Sequence, residues 1–513
     1  MLIITNFVWL MLWILCIFFF MCTGMMTILC MPLSNFNTNL SMTFSSNLIF
    51  LFSSIIIFLT LIIIYFSFYY MHMDIPLERF MTLMLLFMIS MIIVNNSNSC
   101  WTLWLGWEGL GVTSYLLIMY YNNWKSNNAA MTTMMINRIG DFCLLISFIS
   151  FTNILLWNFN KFNLAIWLII LIMLASVAKS AQLPLNSWLP IAMAAPTPVS
   201  SLVHSSTLVV AGSILCIKLE GYFFLYSTLW LSLTGYLTSL YASLMAFLEL
   251  DFKKILAYST MSQIALVMFM LCCNLKDLML MHIINHALIK ALLFINVGVY
   301  LVSMFSNQDV RLMTMNNTTM MVSSMIIFSL IAMCGITFTS SYYSKEYNLL
   351  FSMKEENILM MVNIMIFMSF AYSARMIFLI LFNNNHLKIK NFSFTTNLIP
   401  NLILFPVMMI NGWLFNHNYA LPLNMTWTNT KNMIMLLPMI ILLMCLYSPK
   451  MSIFNHDYMY KMFNNLSVIK FLMMNKMKSM SISFNMTIMT YSNWATLKTI
   501  LFPMSILVLL MMM

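Results

Sequence analysis

Apolar runs of roughly 20 residues recur along the whole sequence, and each is long enough to cross the ~30 Å hydrocarbon core of a bilayer as a helix. In lipid, every backbone N–H must be paired within its own segment unless the span belongs to a closed barrel. A barrel would need alternating strands of about ten residues, and unbroken runs such as IIIFLTLIIIYFSFYY (55–70) exclude that. The sequence therefore predicts an all-α polytopic membrane protein.

Charged residues are too scarce in this chain to coat a water-facing surface. Only 7% of the 513 residues are charged and 62% are hydrophobic, whereas soluble domains carry about 25% charged residues. Runs of suitable length predict about 14 or 15 membrane spans, with neither a soluble domain nor a long linker. The predicted spans lie near residues 3–21, 47–70, 79–95, 100–121, 129–152, 164–184, 192–217, 224–247, 254–274, 279–305, 320–344, 357–382, 399–416, 433–447 and 497–512.

The sequence shows no pattern typical of a redox cofactor site or of a cleaved targeting segment. No Lys or Arg precedes Arg79, so neither a basic signal peptide nor an arginine-rich transit peptide is expected. No glycine-rich dinucleotide motif is present. The ten cysteines form no C-x-x-C pair, which favours buried structural thiols over a metal or iron–sulfur site. The 58 methionines suit a mitochondrial genetic code in which an extra codon is read as Met.

A proline-rich stretch, residues 175–206, differs from the plain spans. Lys179 precedes Pro184 within it, and three more prolines follow. A proline in a helix leaves the carbonyl four residues earlier, here that of Ser180, without its partner. Discontinuous helices with a charge at the break are typical of transporter sites near the bilayer midplane. A proline-rich loop between two spans is the alternative, and the position of Lys179 in an apolar stretch argues against it.

Three titratable residues recur at four-residue spacing in the apolar stretch MHIINHALIKALLF (281–294), namely His282, His286 and Lys290. On a helix this spacing places them along one face over about 12 Å. A charged lysine at the bilayer centre costs ~3 kcal/mol on insertion scales, and desolvation favours its neutral form, so such a lysine can exchange a proton. The pattern predicts a proton relay bridged by water. Residues satisfied by hydrogen bonds to neighbouring helices are the alternative.

Other ionisable residues lie within or beside apolar runs. Glu108 is flanked by Gly106, Gly109 and Gly111, which permit close helix approach. Any of these ionisable residues could instead anchor a helix end by snorkelling to the interface. The residues singled out, besides Glu108 and Lys179, are Arg138 and Asp141 at the start of the next span, His204 after the proline-rich stretch, and Lys345 and Glu346 after a later apolar run.

The snorkelling alternative is strongest for Arg138 and Glu346, and a hydrogen bond between helices explains His204 as well as a relay does. A carboxylate near a lysine changes the proton affinity of both groups, so breaking such a pair can act as a switch. The candidate proton-carrying residues are Glu108, Asp141, Lys179, His204, His282, His286, Lys290 and Lys345.

Five motifs resemble those of the distal antiporter-like subunits of respiratory complex I, the mitochondrial NADH:ubiquinone oxidoreductase. They are LGWEGLGVTSYLLI, AKSAQLPLNSWLPIAMAAPTPVSSLVHSSTLVVAG, FKKILAYSTMSQ, HIINHALIKALLF and YYSKE, within residues 71–375. The resemblance implies that Glu108, Lys179, His204, Lys290 and Lys345 carry protons. It also implies that Arg138 and Asp141 modulate the Lys179 site, and that His282 and His286 lie on a central hydrated axis.

The same resemblance implies a fold of two inverted five-helix repeats, each with a broken helix that carries a lysine, Lys179 in one and Lys345 in the other. It also implies a C-terminal amphipathic helix that runs laterally along the membrane. The resulting domain prediction is N-terminal transmembrane helices in 1–95, an antiporter-like core in 96–382, and C-terminal helices with the lateral helix and a final anchor in 383–513.

The implied partners are the other membrane-arm subunits of complex I, especially a neighbouring antiporter-like subunit, together with membrane lipids and no nucleic acid. The implied location is the mitochondrial inner membrane. No cofactor is expected in this chain, since FMN, iron–sulfur clusters and ubiquinone are bound by other subunits in this family. The chain is then part of an H⁺-translocating NADH:ubiquinone reductase without a redox centre of its own.

Three positions depart from the pattern of the family. The second broken helix has Thr337 in place of a proline, Ser341 in place of a glycine, and Glu346 in place of an aspartate, so a milder break is expected there. The candidate lateral segment, residues 450–485, reaches only about 54 Å at 1.5 Å per residue, which predicts a shortened lateral helix.

Two other classes of function compete with a redox-driven proton pump. A stand-alone cation/proton antiporter would carry the same intramembrane charges. A purely structural membrane scaffold would tolerate neutral replacements at Glu108, Lys179 and Lys290, and it leaves the insertion cost of those residues unexplained.

Overall fold

Helices account for nearly all of the chain that the computed structural model describes, which is residues 31–33, 38–40, 47–72, 74, 76–97, 99–152, 166–219, 225–271, 276–303, 307–310, 320–335, 339–352, 356–382, 400, 401 and 403–409. The chain divides into two units, Met1–Met425 and Thr426–Met513, and all described residues belong to the first. The predicted spans near 3–21, 433–447 and 497–512 and the predicted lateral helix in 450–485 lie outside the described residues.

Twelve labelled helices follow one another in these ranges. They are α1 (Asn47–Tyr70), α2 (Leu77–Asn96), α3 (Cys100–Ile118), α4 (Trp124–Thr152), α5 (Ile166–Lys179), α6 (Thr197–Leu219), α7 (Leu225–Leu248), α8 (Phe252–Met270), α9 (Lys276–Ser303), α10 (Met320–Cys334), α11 (Ser340–Ser352) and α12 (Glu356–Phe382). One helical turn, Trp188–Ile191, lies between α5 and α6. Two short strands, β1 (Met31–Leu33) and β2 (Thr38–Leu40), pair antiparallel.

Within the described residues, seven helices are long and apolar enough to cross a membrane. Two shorter apolar helices, Trp167–Lys179 and Val322–Cys334, belong to the interrupted spans described below. The prediction of an all-α polytopic membrane protein is confirmed. Helix α9 lies at the centre of the bundle, since all residues of its 18-residue apolar stretch are buried, whereas only 39% of the corresponding stretch of α12 are.

Hydroxyl side chains inside these helices bond to the backbone of their own helix. Thr60 Oγ1 donates to the Ile57 carbonyl at 2.7 Å, and Ser67 Oγ donates to the Ile64 carbonyl at 2.7 Å. Because lipid offers no other partner, this internal bonding lets Ser and Thr occupy apolar spans without an unpaired hydroxyl.

The proline-rich stretch breaks its span, as predicted, but the break comes earlier than the prolines. Helix α5 ends at Lys179, and residues 180–187 are not helical. The carbonyl of Ser180 accepts a hydrogen bond from Gln182 Nε2 at 3.1 Å, and that of Ala178 accepts one from Trp188 Nε1 at 3.0 Å. Since these side chains pair the freed carbonyls, the break is stable inside the protein. Ser180 and Gln182 are fully buried, so this is not a surface loop.

A second break divides the span predicted at 320–344. Helix α10 ends at Cys334, Gly335 adopts φ +82°, and α11 begins at Ser340. Glycine suits this end because a left-handed conformation is strained for other residues. Ser341 Oγ donates to the carbonyl of Ala332 across the break. Thr337 lies outside the described residues, so the predicted effect of that departure stays a prediction.

A third irregularity, absent from the sequence prediction, lies in α6. Residues Ser200–Thr207 form a π-helical segment, in which Thr207 Oγ1 donates to the carbonyl of Leu202 at 2.7 Å. This segment packs against α9. It carries His204, and π-helical insertions are frequent at functional sites.

Candidate functional site

A cluster of four ionisable side chains joins α3, α4 and α5. Arg138 Nη1 lies 2.7 and 2.6 Å from the two carboxylate oxygens of Glu108. The same nitrogen lies 3.8 Å from Asp141 Oδ2, and Lys179 Nζ lies 3.7 Å from Asp141 Oδ1. The charges therefore alternate in sign along one path, with Asp141 between the two cations. Arg138 thus has a carboxylate partner in the helical bundle, and the alternative that it is a snorkelling anchor stays a prediction.

Asp141 is fixed by a neighbour that the sequence analysis missed. Trp107 Nε1 donates to Asp141 Oδ1 at 2.8 Å, and its ring lies 5.3 Å from Lys179 Nζ. Trp107 is fully buried. It therefore stabilises the carboxylate through its N–H and the ammonium through its ring face. Its position beside Glu108 in a predicted span was the only sequence signal.

The glycines of α3 serve two purposes. A Cβ on Gly106 would lie 2.7 Å from Val94 Cγ2, and one on Gly109 would lie 3.0 Å from Ser90 Cβ, so both glycines permit the close approach of α2, as predicted. Gly111 differs because its missing side chain faces the ion pair. A Cβ there would lie 3.5 Å from Lys179 Nζ and 3.9 Å from Asp141 Oδ2.

Lys179 has a carboxylate neighbour but no hydrogen-bond acceptor among the described residues. It is the last residue of α5 and is completely buried. An ammonium has three donors, and at 3.7 Å the carboxylate of Asp141 is beyond normal hydrogen-bond length. The ammonium is therefore held by the charge of Asp141 and the ring face of Trp107, and it keeps its donors available.

His204 lies beyond the break and is also completely buried. Neither ring nitrogen has a partner in the described part of the chain, so the predicted alternative of a hydrogen bond between helices is not observed there. Its ring contacts Trp188 edge-on, with 6.2 Å between the centroids. Because Trp188 also bonds to the carbonyl of Ala178, this indole links the end of α5 to the π-helical segment.

The three regularly spaced residues of α9 lie in the buried centre, as their spacing predicts. Lys290 Nζ donates to Ser259 Oγ at 2.5 Å and to the carbonyl of Leu256 at 3.3 Å, both on α8. His282 Nδ1 lies 2.8 Å from Ser344 Oγ on α11. His286, between them, has no partner for either nitrogen among the described residues. The hydrogen-bonding alternative thus holds in part for Lys290 and His282, and not for His286.

Lys345 is held differently from Lys179. Its Nζ donates to the carbonyls of Met333 at 2.7 Å and Cys334 at 3.0 Å, and to Ser369 Oγ at 3.1 Å. These two carbonyls end α10, where the helix dipole is negative, so Lys345 caps one half of the broken helix from the other half. Glu346, its neighbour, is half-buried.

Further cations outside the predicted set also bind carbonyl groups. Lys218 Nζ donates to the carbonyls of Val94 and Ser97, each at 2.7 Å, at the end of α2. Arg375 Nη1 donates to the carbonyl of Ala246 near the end of α7 at 3.2 Å, and Lys253 Nζ to that of Ala195 at 3.3 Å. Each is a lysine or arginine beside an apolar run, and that signal alone does not separate a helix cap from a proton carrier.

The structure thus brings Glu108, Asp141 and Lys179 into one cluster and His282, His286 and Lys290 into one row. The π-helical segment with His204 packs against the helix that bears this row. Lys345 is on α11, whose Ser344 reaches His282. Six buried polar atoms with no partner among the described residues lie on these side chains, namely Lys179 Nζ, both ring nitrogens of His204, His282 Nε2 and both ring nitrogens of His286. Such atoms can exchange protons through bridging water.

Broken helices and paired buried charges are together typical of membrane proteins that move protons or cations. Residues 97–371 match the family described as "NADH:quinone oxidoreductase/Mrp antiporter, TM". The chain belongs to this family.

The similar curated proteins are named NADH-ubiquinone oxidoreductase chain 5. The protein of Locusta migratoria is 42% identical over 56% of this chain and 51% of its own length. That of Anopheles gambiae is 38% identical over 71% of this chain and 67% of its own length. That of Anopheles arabiensis is 42% identical over 56% of this chain and 77% of its own length. The predicted resemblance is confirmed, and the chain spans about half the length of the first of these relatives.

Two solved structures share the fold. The Mrp complex from Dietzia sp. DQ12-45-1b matches with a TM-score of 0.67 at 19% identity, over 92% of this chain and 56% of that one. The membrane-bound sulfane sulfur reductase, an archaeal respiratory membrane complex, matches with a TM-score of 0.67 at 18% identity, over 78% of this chain and 85% of that one. At these identities the likeness shows the fold alone.

Proposed function

We propose that this chain translocates protons across the mitochondrial inner membrane as an antiporter-like subunit of the membrane arm of respiratory complex I. One observation carries the proposal. Lys179, His204, His282, His286, Lys290 and Lys345 are each at most 3% exposed inside one helical unit. Burying such groups costs free energy that apolar residues would avoid, and a proton path explains why they are there.

The Glu108–Arg138–Asp141–Lys179 cluster supports a switch at the entrance to this path. Asp141 is shared between Arg138 and Lys179, at 3.8 and 3.7 Å. If Arg138 turns from Glu108 toward Asp141, the carboxylate is neutralised from one side and attracts Lys179 less. The Lys179 ammonium is then free to release its proton toward His204. A change of charge on Glu108, the present partner of Arg138, would be the trigger.

The free energy for transport must come from outside the chain. Moving one charge against 100 mV costs ~2.3 kcal/mol. In the proposed assembly, electron transfer from NADH to ubiquinone in other subunits supplies it, through a neighbouring antiporter-like subunit. FMN, the iron–sulfur clusters and ubiquinone belong to those subunits, and this chain holds no cofactor of its own. Membrane lipids surround it, and no nucleic acid is bound. The enzyme class is that of the whole complex, an H⁺-translocating NADH:ubiquinone reductase.

The competing hypothesis is that this chain is a stand-alone cation/proton antiporter, a class of protein that shares its fold. The likeness to the Mrp complex is at 19% identity, which shows the fold and not the assembly. The names of relatives with 38–42% identity favour the complex I subunit. Migration with NADH dehydrogenase activity on a native gel distinguishes the two, because a stand-alone antiporter would migrate apart from it.

Replacing Lys179 with Met tests the proposal directly. Methionine fills a similar volume and removes the charge. The intact complex is purified with Lys179→Met, reconstituted in vesicles, and NADH-driven proton uptake is followed with a pH-sensitive dye. We expect uptake to be at least tenfold slower, which corresponds to a barrier higher by more than about 1.4 kcal/mol, with the complex still assembled.

Lys254→Met is the matched control. Lys254 forms an exposed ion pair with Asp251 at 2.6 Å, and exposed pairs contribute about 0–1 kcal/mol. The control should keep the wild-type uptake rate. Full uptake by the Lys179→Met complex would remove the proposed role and favour a structural scaffold.

A further inference from the structure

Asn348 is a buried amide with no role in the proton path described so far. It is 0% exposed, and neither its Oδ1 nor its Nδ2 has a hydrogen-bond partner among the described residues. It lies on α11, one helical turn beyond Ser344 and Lys345. An unpaired buried amide destabilises a fold, and a leucine would pack in its place. This points to a function for the amide.

Two contacts fix how α11 crosses α9. Asn285 Nδ2 donates to the carbonyl of Ser340 at 2.9 Å, and His282 Nδ1 lies 2.8 Å from Ser344 Oγ. Rising numbers on α11 thus meet falling numbers on α9, so the two helices run antiparallel here. One more turn places Asn348 opposite the part of α9 near Leu278.

That part of α9 is close to its exposed beginning. Leu278 is buried, whereas Lys276 and Asp277 are exposed. From His282 to Asp277 the helix rises only about 7 Å. Asn348 therefore lies between His282 and the end of the bundle at which α9 begins.

The ammonium of Lys345 already has its hydrogen-bond partners, whereas the amide of Asn348 does not. The Lys345 ammonium has three donors, and all three have acceptors, at Met333, Cys334 and Ser369. His282 Nε2, by contrast, has no partner in the described structure. Beyond Ser344 on α11, the amide atoms of Asn348 are thus free to bind water, whereas the donors of the Lys345 ammonium are all engaged.

We propose that Asn348 carries the proton path from His282 and Ser344 to the membrane surface at the start of α9. Its amide holds bridging water there and acts as a positioning residue for the proton, without binding the proton covalently. The proposal deepens the proposed function and rests on it. It assigns to α11 a polar face, Ser340, Ser344 and Asn348, whose members recur every four residues.

Two replacements of Asn348 separate conduction from packing. Asn348→Leu keeps the branched shape of the side chain and removes its polar atoms, whereas Asn348→Ser keeps a polar group and leaves a cavity. Proton uptake by vesicles with the intact complex is measured for both and normalised to assembled complex on a native gel. We expect Asn348→Leu to slow uptake about tenfold and Asn348→Ser to retain at least about half of the wild-type rate, as a hydroxyl and water can replace the amide.

A packing role predicts the opposite order, with the leucine variant better than the serine variant, and that result would overturn the proposal. Wild-type uptake by both variants would overturn it too. Asn401→Leu is the matched control, because Asn401 is likewise buried and without a partner among the described residues but is not on α11; it should keep the wild-type rate. If Lys179→Met blocks uptake while Asn348→Leu does not, only the present proposal fails. If Lys179→Met does not block it, the proposed function fails.

Discussion

Three lysines are fully buried in the part of the chain that the structure describes, and they differ in how their ammonium groups are held. Lys345 has three hydrogen-bond acceptors and Lys290 has two. Lys179 has none among the described residues and has only the carboxylate of Asp141 at 3.7 Å. A neighbouring carboxylate favours the charged form of a lysine, so a movement that weakens this contact favours release of the proton. At the scale of single residues, Lys179 is therefore the lysine of the three whose proton depends on one charged neighbour.

Replacing Gly111 tests the environment of the Lys179 ammonium without changing any charged group. In Gly111→Ala the new methyl would lie 3.5 Å from Lys179 Nζ, an ordinary contact, so the fold should accept it. The methyl would exclude water from the ion pair, and an ion pair without water exchanges protons more slowly. We expect an assembled complex with proton uptake slowed about tenfold, measured in vesicles.

Gly106→Ala provides the contrast on the same helix. Its methyl would lie 2.7 Å from Val94 Cγ2 and 2.9 Å from the Val94 backbone nitrogen, so helix packing must shift. We expect loss of assembled complex on a native gel, with normal uptake per complex that does assemble. Equal behaviour of the two variants would show that water near Lys179 has no special importance.

At the scale of helices, the lysine and arginine side chains that bind the ends of helices are of two kinds. Lys218 and Arg375 bind carbonyls at the ends of α2 and α7. Lys345 does the same at α10 but also neighbours Ser344, which contacts His282. The first kind serves stability, and Lys345 serves stability and transport together. An apolar sequence context alone does not separate these two kinds of cation.

Lys218→Met should therefore affect stability and not transport. Charged hydrogen bonds contribute about 1.5–3 kcal/mol each, and Lys218 gives three, to Val94 and twice to Ser97. We expect a lower melting temperature of the complex and an unchanged number of protons moved per NADH. Lys345→Met should lower both. A lower proton yield in Lys218→Met would place that residue on the proton path.

The interrupted helices show what local sequence can predict. The break after Lys179 follows from prolines in an apolar stretch, and the break after Cys334 was expected from a resemblance. The π-helical segment around His204 was not predicted, because its bonds, such as that from Thr207 to Leu202, depend on packing against α9. Spacing gave the row on α9 directly, since four-residue repeats are a property of one helix.

At the scale of the whole molecule, contacts between distant segments were out of reach of the sequence. The Arg138–Glu108 pair and the bond from Trp107 to Asp141 exist because α3 packs on α4, and no local pattern encodes that contact. The membrane class and most spans were predicted, since they follow from hydropathy and helix length. The domain boundaries at 95 and 382, the inverted relation of the two repeats and the lateral helix stay predictions.

We propose that the buried ionisable side chains form one hydrated path through the bundle. The decisive measurement is a high-resolution map of the intact membrane complex with ordered water resolved. We expect it to show water molecules that join Lys179 to His204 and continue past His286 and His282 to Asn348. Dry apolar packing between any two of these residues, in every state of the working complex, would contradict it.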